Sequence, residues 1–188
     1  MKHPLSLFIN NLSFYYNYEK VIFENLNVQA KFKNVLLIKG DVGSGKTTLL
    51  KLIYGFLKPF SGDIKLLKDQ IEINPEKFYY LHANSTFNFV TGVIEDDFKL
   101  LGINYIKEYY KNKSVYELSG GELKKLAIEM GFLSGADVIL MDEPFDMLDD
   151  EEIKKIKKLI ERSLERFYFI IATHEDFLDD ISDEIIYL

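Results

Sequence analysis

Four short stretches of the sequence carry residues that could do chemistry. The first is Gly40-Asp41-Val42-Gly43-Ser44-Gly45-Lys46-Thr47-Thr48, which fits the pattern G-x-x-x-x-G-K-[ST]. Glycines at Gly40, Gly43 and Gly45 let backbone N–H groups turn toward phosphate oxygens, and a helix starting at the end of the loop aims the positive end of its dipole at the same place. Lys46 is expected to reach the β- and γ-phosphates of a nucleoside triphosphate, and the Thr47 hydroxyl to coordinate Mg²⁺. The competing reading is a glycine-rich turn with a chance lysine.

The second stretch is Asp137-Val138-Ile139-Leu140-Met141-Asp142-Glu143-Pro144, an apolar run that finishes in two carboxylates. Buried carboxylates are costly unless paired or metal-bound, so packing alone does not explain them. Asp142 at the strand end suits Mg²⁺, and Glu143 can polarise an attacking water as general base. The plainer alternative is an acidic turn capped by Pro144. The third stretch, Leu118-Ser119-Gly120-Gly121-Glu122, runs into a helical pattern with Leu123, Leu126, Ala127, Met130 and Leu133. Exposed amides, a hydroxyl and the helix dipole make Ser119, Gly120 and Gly121 a second anion-binding device; the plainer alternative is an N-cap at Ser119. The fourth is His174, at the end of the apolar run Phe167 to Ala172, which could touch a γ-phosphate or be a surface histidine.

The elements that must position these residues are legible in outline. Asn34 to Lys39 reads as a buried strand, and Leu49, Leu50, Leu52 and Ile53 recur at helical spacing until Gly55 offers a stop. Leu5 to Ile9 and Leu12 to Tyr16 read as two short strands broken by Asn10-Asn11, and Val21 to Ala30 as a third. Lys58 to Asp63 is a turn cluster, and Phe78 to Leu81 a strand. Helical patterns follow around Ile94 to Leu101 and Tyr105 to Tyr110, with the aromatic residues of this stretch read as packing. Glu151 to Arg166 forms an amphipathic helix with apolar Ile153, Ile156, Leu159, Ile160 and Leu164 and a solvated charged face, and Ile185 to Leu188 a last strand.

At 188 residues the chain is long enough for one core or one core with a small appended lobe. A net charge of −7 argues against a broad nucleic-acid-binding surface. With no cysteine, disulfides, thiolate zinc sites and a cysteine nucleophile are excluded. No run reaches the ~18 consecutive apolar residues a membrane helix needs.

Taken together in this order, the motifs resemble those of the ATP-binding cassette (ABC) ATPases, over nearly the whole chain. Gly40 to Thr48 matches the Walker A loop, Leu118 to Glu122 the signature sequence with Glu122 in place of the usual glutamine, and Ile139 to Pro144 the Walker B strand with the catalytic glutamate. Phe145 to Asp149 is similar to the D-loop, His174 to the switch histidine, and Tyr16 falls where an aromatic stacks on adenine. One departure stands out: Ala83, flanked by His82 and Asn84, takes the place of the family's Q-loop glutamine. Either neighbour substitutes through a small register shift, or metal-linked coupling is weaker. Gly92 to Asp97 is similar to the corresponding stretch of cobalt- and vitamin-type energy-coupling-factor importers.

The resemblance implies an α/β P-loop NTPase core, a mostly parallel sheet flanked by helices, with an N-terminal antiparallel β part and a small inserted helical lobe. Residues 1–82 and 115–188 would form the ATP-binding core and 83–114 the lobe, within a single nucleotide-binding domain. It implies Mg-dependent ATP hydrolysis with Glu143, His174 and Lys46 catalytic; Tyr16, Gly40, Gly43, Ser44, Gly45, Lys46, Thr47, Thr48, Ser119, Gly120 and Gly121 at ATP; and Thr47 and Asp142 at Mg²⁺. The implied partners are a second ATPase chain, identical or paralogous, and separate transmembrane permease subunits, holding the chain at the inner face of the cell membrane. Two other functions are open at this point: a soluble ABC ATPase in assembly, repair or regulation, and a non-hydrolysing ATP switch.

Overall fold

The computed structural model describes residues 2–17, 20–104 and 106–188. Its centre is a five-stranded sheet in the order β6-β7-β8-β3-β9, all pairs parallel. The strands are β3 (Val35–Lys39), β6 (Phe78–Leu81), β7 (Val138–Asp142), β8 (Tyr168–Ala172) and β9 (Glu184–Tyr187). Four of them are unbroken apolar runs because both faces are covered. Val35, Leu37, Ile139, Met141, Phe169 and Ile171 face one half of the core, with α2 (Ile94–Leu100), α3 (Gly120–Leu133) and α4 (Asp150–Glu161). Leu36, Ile38, Val138, Leu140 and Ile170 face the other, with α1 (Lys46–Tyr54) and a second sheet.

That second sheet is antiparallel, in the order β2-β1-β4-β5, from β1 (Leu5–Asn17), β2 (Lys20–Phe32), β4 (Ser61–Lys68) and β5 (Ile71–Glu72). The architecture is the expected α/β P-loop core with an antiparallel β part. Details differ from the sequence reading. Asn10-Asn11 does not break β1 into two strands; Asn11 takes φ 47 and forms a bulge between Ile9 and Leu12, and pairing resumes beyond it. In β2, the expected alternation fails at Asn25, where φ is 53, so Val21 is exposed while Phe23, Leu26 and Val28 turn inward.

The expected turn cluster ends earlier: Ser61, Gly62 and Asp63 already belong to β4, opposite Ser13 and Asn10 of β1. Gly62 has φ 82, and a Cβ there would overlap the carbonyl oxygens of Asn10 and Asn11 at the bulge. Gly62→Ala is therefore expected to destabilise the protein by about 2–3 kcal/mol, read as a lowered melting temperature.

The helix starting near Glu151 stops at Glu161 rather than Arg166. Beyond it the amides of Ser163, Leu164 and Arg166 bond three residues back, and Ser163 Oγ donates to the Leu159 carbonyl, tightening the chain into turns. In residues 83–114, α2 lies over the expected Ile94 to Leu101. The expected pattern from Tyr105 starts on a residue outside the described ones and continues only as a 3-10 turn, Glu108–Tyr110. Phe89 and Phe98 there are core residues, whereas Phe87 and Tyr109 are exposed, against the packing expectation.

Candidate functional site

β3 ends at Lys39, and the chain turns through the glycine loop into α1. Gly45 is the N-cap of α1 with φ 103; a Cβ there would come within 2.8 Å of Ile22 Cγ2 and 2.9 Å of Phe23 Cζ. Backbone geometry and β2 both demand glycine here. Among the described residues no side chain caps α1, so its first amides are available to a ligand. Ser44 Oγ is buried and has no hydrogen-bond partner among the described residues, while the space in front of Gly43 is open. An orphaned hydroxyl, uncapped amides and open space fit a bound phosphate chain.

Lys46 is buried, and its ammonium donates to the carbonyls of Gly40 (2.8 Å) and Asp41 (3.2 Å), with Glu143 Oε1 at 3.4 Å. The Thr47 hydroxyl donates to Asp142 Oδ1 at 2.7 Å. Asp142 terminates β7 beside β8, and Tyr80 of neighbouring β6 donates to its Oδ2 at 3.2 Å. Burial pushes the Asp142 carboxyl up, while the Thr47 and Tyr80 bonds pull it down; burial and the Asp142 charge push the Tyr80 hydroxyl well above its usual range. Tyr80 thus remains the donor.

Glu143 follows with φ 43, a conformation a glutamate adopts only when its surroundings enforce it. Its amide donates to the Ala172 carbonyl, and its Oε2 accepts from the His174 amide (3.3 Å) and lies 3.1 Å from His174 Nδ1. The carboxylate therefore sits between an ammonium and an imidazole.

One cleft of ≈ 410 Å³ gathers Tyr16, Gly43, Gly45, Lys46, Thr47, Thr48, Glu143 and His174. Tyr16 is half exposed at its rim, its hydroxyl 3.2 Å from Thr48 Oγ1. Lys20, Ile22, Val42 and Asp146 complete the lining and were not expected there from the sequence. Ser119, Gly120 and Gly121 lie elsewhere. Gly120 lines a separate cleft of ≈ 360 Å³ with Ala83, Lys124, Asp146 and Met147. Ser119 is the N-cap of α3, in a capping box: its Oγ accepts from the Glu122 amide and the Glu122 carboxylate accepts from the Ser119 amide.

Neither neighbour of Ala83 lines the nucleotide cleft. His82 packs among Phe56, Tyr80 and Phe87, where burial lowers its basicity, and Asn84 Oδ1 accepts from the Thr86 amide. Two residues of consequence escaped the sequence reading. Tyr80 was read as part of an apolar strand. Lys124 sits on the buried face of α3 one turn before Ile128, and that position on the periodic stripe was the available signal.

Among the described residues, no group of three or more histidine, cysteine or carboxylate side chains could hold a metal unaided. Mg²⁺ bound through one carboxylate, one hydroxyl and substrate phosphates needs no such group, and Asp142 and Thr47 offer that donor set.

A family model described as ABC transporter matches residues 23–146. EgtV of Helicobacter pylori (strain G27), an ergothioneine transport ATP-binding protein, is 31% identical over 191 residues, covering 89% of this chain and 89% of that protein. EcfA1 of Fusobacterium nucleatum subsp. nucleatum, an energy-coupling factor transporter ATP-binding protein, is 33% identical over 178 residues, covering 81% of this chain and 66% of that protein. Among solved structures, cbiO1 from Clostridium perfringens, described as part of the ABC transporter complex cbiONQ, superposes with a TM-score of 0.77 at 25% identity, covering 96% of this chain and 83% of that one.

Proposed function

We propose a function that proceeds from membership: this chain belongs to the ABC transporter family, as an ATP-binding, ATP-hydrolysing subunit that powers a membrane transporter. The observation that carries the residue-level reading is the Glu143 carboxylate held between Lys46 and His174, on a cleft that Thr47, bonded to Asp142, also lines. Residues 1–82 and 115–188 act as the ATP-binding core and 83–114 as a small lobe of one nucleotide-binding domain. Among the described residues no helix is long and apolar enough to cross a membrane. In this reading separate permease subunits supply the spanning segments and hold the chain at the cytoplasmic face, as the relatives named for transporter complexes suggest.

In this reading Tyr16 stacks on adenine, and the amides of the Gly40 to Thr48 loop with the Ser44 hydroxyl hold the phosphates. Lys46 turns from its backbone carbonyls to the β- and γ-phosphate oxygens. Mg²⁺, held by Thr47 and Asp142, would neutralise charge on those oxygens. Glu143, oriented by His174, takes a proton from the attacking water, and His174 contacts the γ-phosphate. None of Ser119, Gly120 and Gly121 lines the cleft of Lys46 within one chain; Gly120 lines a neighbouring one that shares Asp146 with it. This favours a head-to-tail dimer in which they act on the partner's nucleotide. Two ATP molecules then bridge two chains, and their hydrolysis lets the dimer reopen against the permease.

A metal titration tests the site. Turnover of ATP is expected to stop when EDTA removes Mg²⁺ and to return on adding it back. Tyr80→Phe leaves Asp142 one hydrogen bond short, so its carboxylate is held less firmly. The variant should require about tenfold more Mg²⁺ for half-maximal turnover. Metal-independent turnover would defeat the assignment of Thr47 and Asp142.

A further inference from the structure

Lys124 is a buried cation that the proposed mechanism does not use. It lies on α3 with only 4% of its surface exposed, and burial pushes the pKa of its ammonium down while Asp146, Asp142 and Glu143 counteract that effect. An apolar residue would satisfy this helix face at less cost, as Ile128 does one turn on. The ammonium donates instead to two backbone carbonyls from separate segments: Ala83, just beyond β6, at 2.8 Å, and Glu143 at 3.2 Å.

We infer that Lys124 is a positioning residue for hydrolysis, clamping the Glu143 backbone to the start of segment 83–114 so that the candidate base keeps its place. This rests on the reading of Glu143 given above. The left-handed backbone of Glu143 persists only while its neighbours hold it. Its amide is fixed by Ala172 and its carboxylate by Lys46 and His174; its carbonyl accepts from Lys124 and, within the following turn, from the Asp146 amide, so that Lys124 is its one side-chain donor among the described residues. Ala83 contributes to the clamp only through its backbone. A shift of segment 83–114 against α3 is thereby felt at Glu143, although none of that segment's described side chains lines the nucleotide cleft.

The test compares Lys124→Met, Lys124→Gln and Lys124→Arg in the full chain by steady-state ATP hydrolysis with Mg²⁺, affinity for a fluorescent ATP analogue, and thermal melting. Methionine fills the space without a donor, so kcat should fall about 10- to 100-fold while analogue affinity stays within about twofold, since the glycine loop is untouched. Glutamine and arginine keep N–H donors, and each should hydrolyse faster than the methionine variant. A role in packing alone predicts the reverse: methionine as active as the parent, or all three variants losing affinity and melting temperature together with kcat. Either result overturns the inference. Should the methionine variant fail to fold, glutamine and arginine decide it: kcat lower in the shorter glutamine than in arginine, both with parental analogue affinity, upholds the clamp, and joint loss of kcat and affinity, or equal kcat in the two, removes it. A parent that turns over ATP beside an equally active methionine variant defeats this inference alone. A parent with no turnover defeats the role of Glu143 first, and the clamp with it.

Discussion

Glu143→Gln is expected to slow ATP turnover by about 10²- to 10³-fold and to trap an ATP-dependent dimer that elutes early in size-exclusion chromatography. The amide oxygen of glutamine can still accept from the His174 backbone, as Oε2 does at 3.3 Å, so the local fold should survive. What is lost is the proton acceptor. Lys46 also loses its carboxylate neighbour at 3.4 Å, which leaves the ammonium freer to meet phosphate oxygens. Binding should therefore hold or tighten while the chemical step fails, and bound ATP persists long enough for the closed dimer to accumulate. The parent should turn over and run mainly as a monomer. Equal turnover by both proteins would remove Glu143 from the role of base.

Lys46→Ala should act one step earlier, on binding. The ammonium is buried, and its present partners are two loop carbonyls and the Glu143 carboxylate. Without it Glu143 faces the phosphates with no cation between them. Loss of a charge-assisted bond to phosphate is worth about 3 kcal/mol, so the dissociation constant for ATP should rise about a hundredfold by calorimetry. ADP should lose less, because the γ-phosphate is the group nearest Glu143 in this reading. Unchanged ATP affinity would place the phosphates elsewhere.

The catalytic stretches were legible because each needs particular residue types in an unbroken local order. Gly40 to Thr48 leads from the end of β3 through the loop into α1, and Gly55 ends α1 where the spacing indicated. Four of the parallel strands were legible as apolar runs, and the fifth as a short one from Ile185. The antiparallel sheet was less so, because its strands bend at residues with positive φ, Asn11 and Asn25, that a period-two pattern cannot accommodate. β4 was hidden because Ser61-Gly62-Asp63 has the composition of a turn, and only the Asn11 bulge opposite explains a glycine inside a strand. Tyr80 and Lys124 were missed as site residues for a different reason: each meets its partners across more than sixty residues or through backbone carbonyls alone. Such pairings leave their partners unmarked in local spacing, and only the lysine's place on an apolar helical stripe pointed to burial.

The place of β3 in the sheet bears on how the chain is made. β3 is synthesised early, at Val35–Lys39, yet both its neighbours come from the last stretch: Tyr168–Ala172 on one side and Glu184–Tyr187 on the other. A single oxygen of Asp183 accepts from the amides of Lys33, Asn34 and Val35, anchoring the start of β3 from the far end of the sequence. The antiparallel sheet, by contrast, pairs residues all within 5–72 and is free to assemble while the remainder is still on the ribosome. The strand that presents the glycine loop must wait, unpaired, until residues 168–187 emerge, and distant parallel pairing of this kind is slow. A nascent chain thus passes through a long interval with its β part formed and no competent nucleotide cleft, and cannot join a dimer before those residues have emerged.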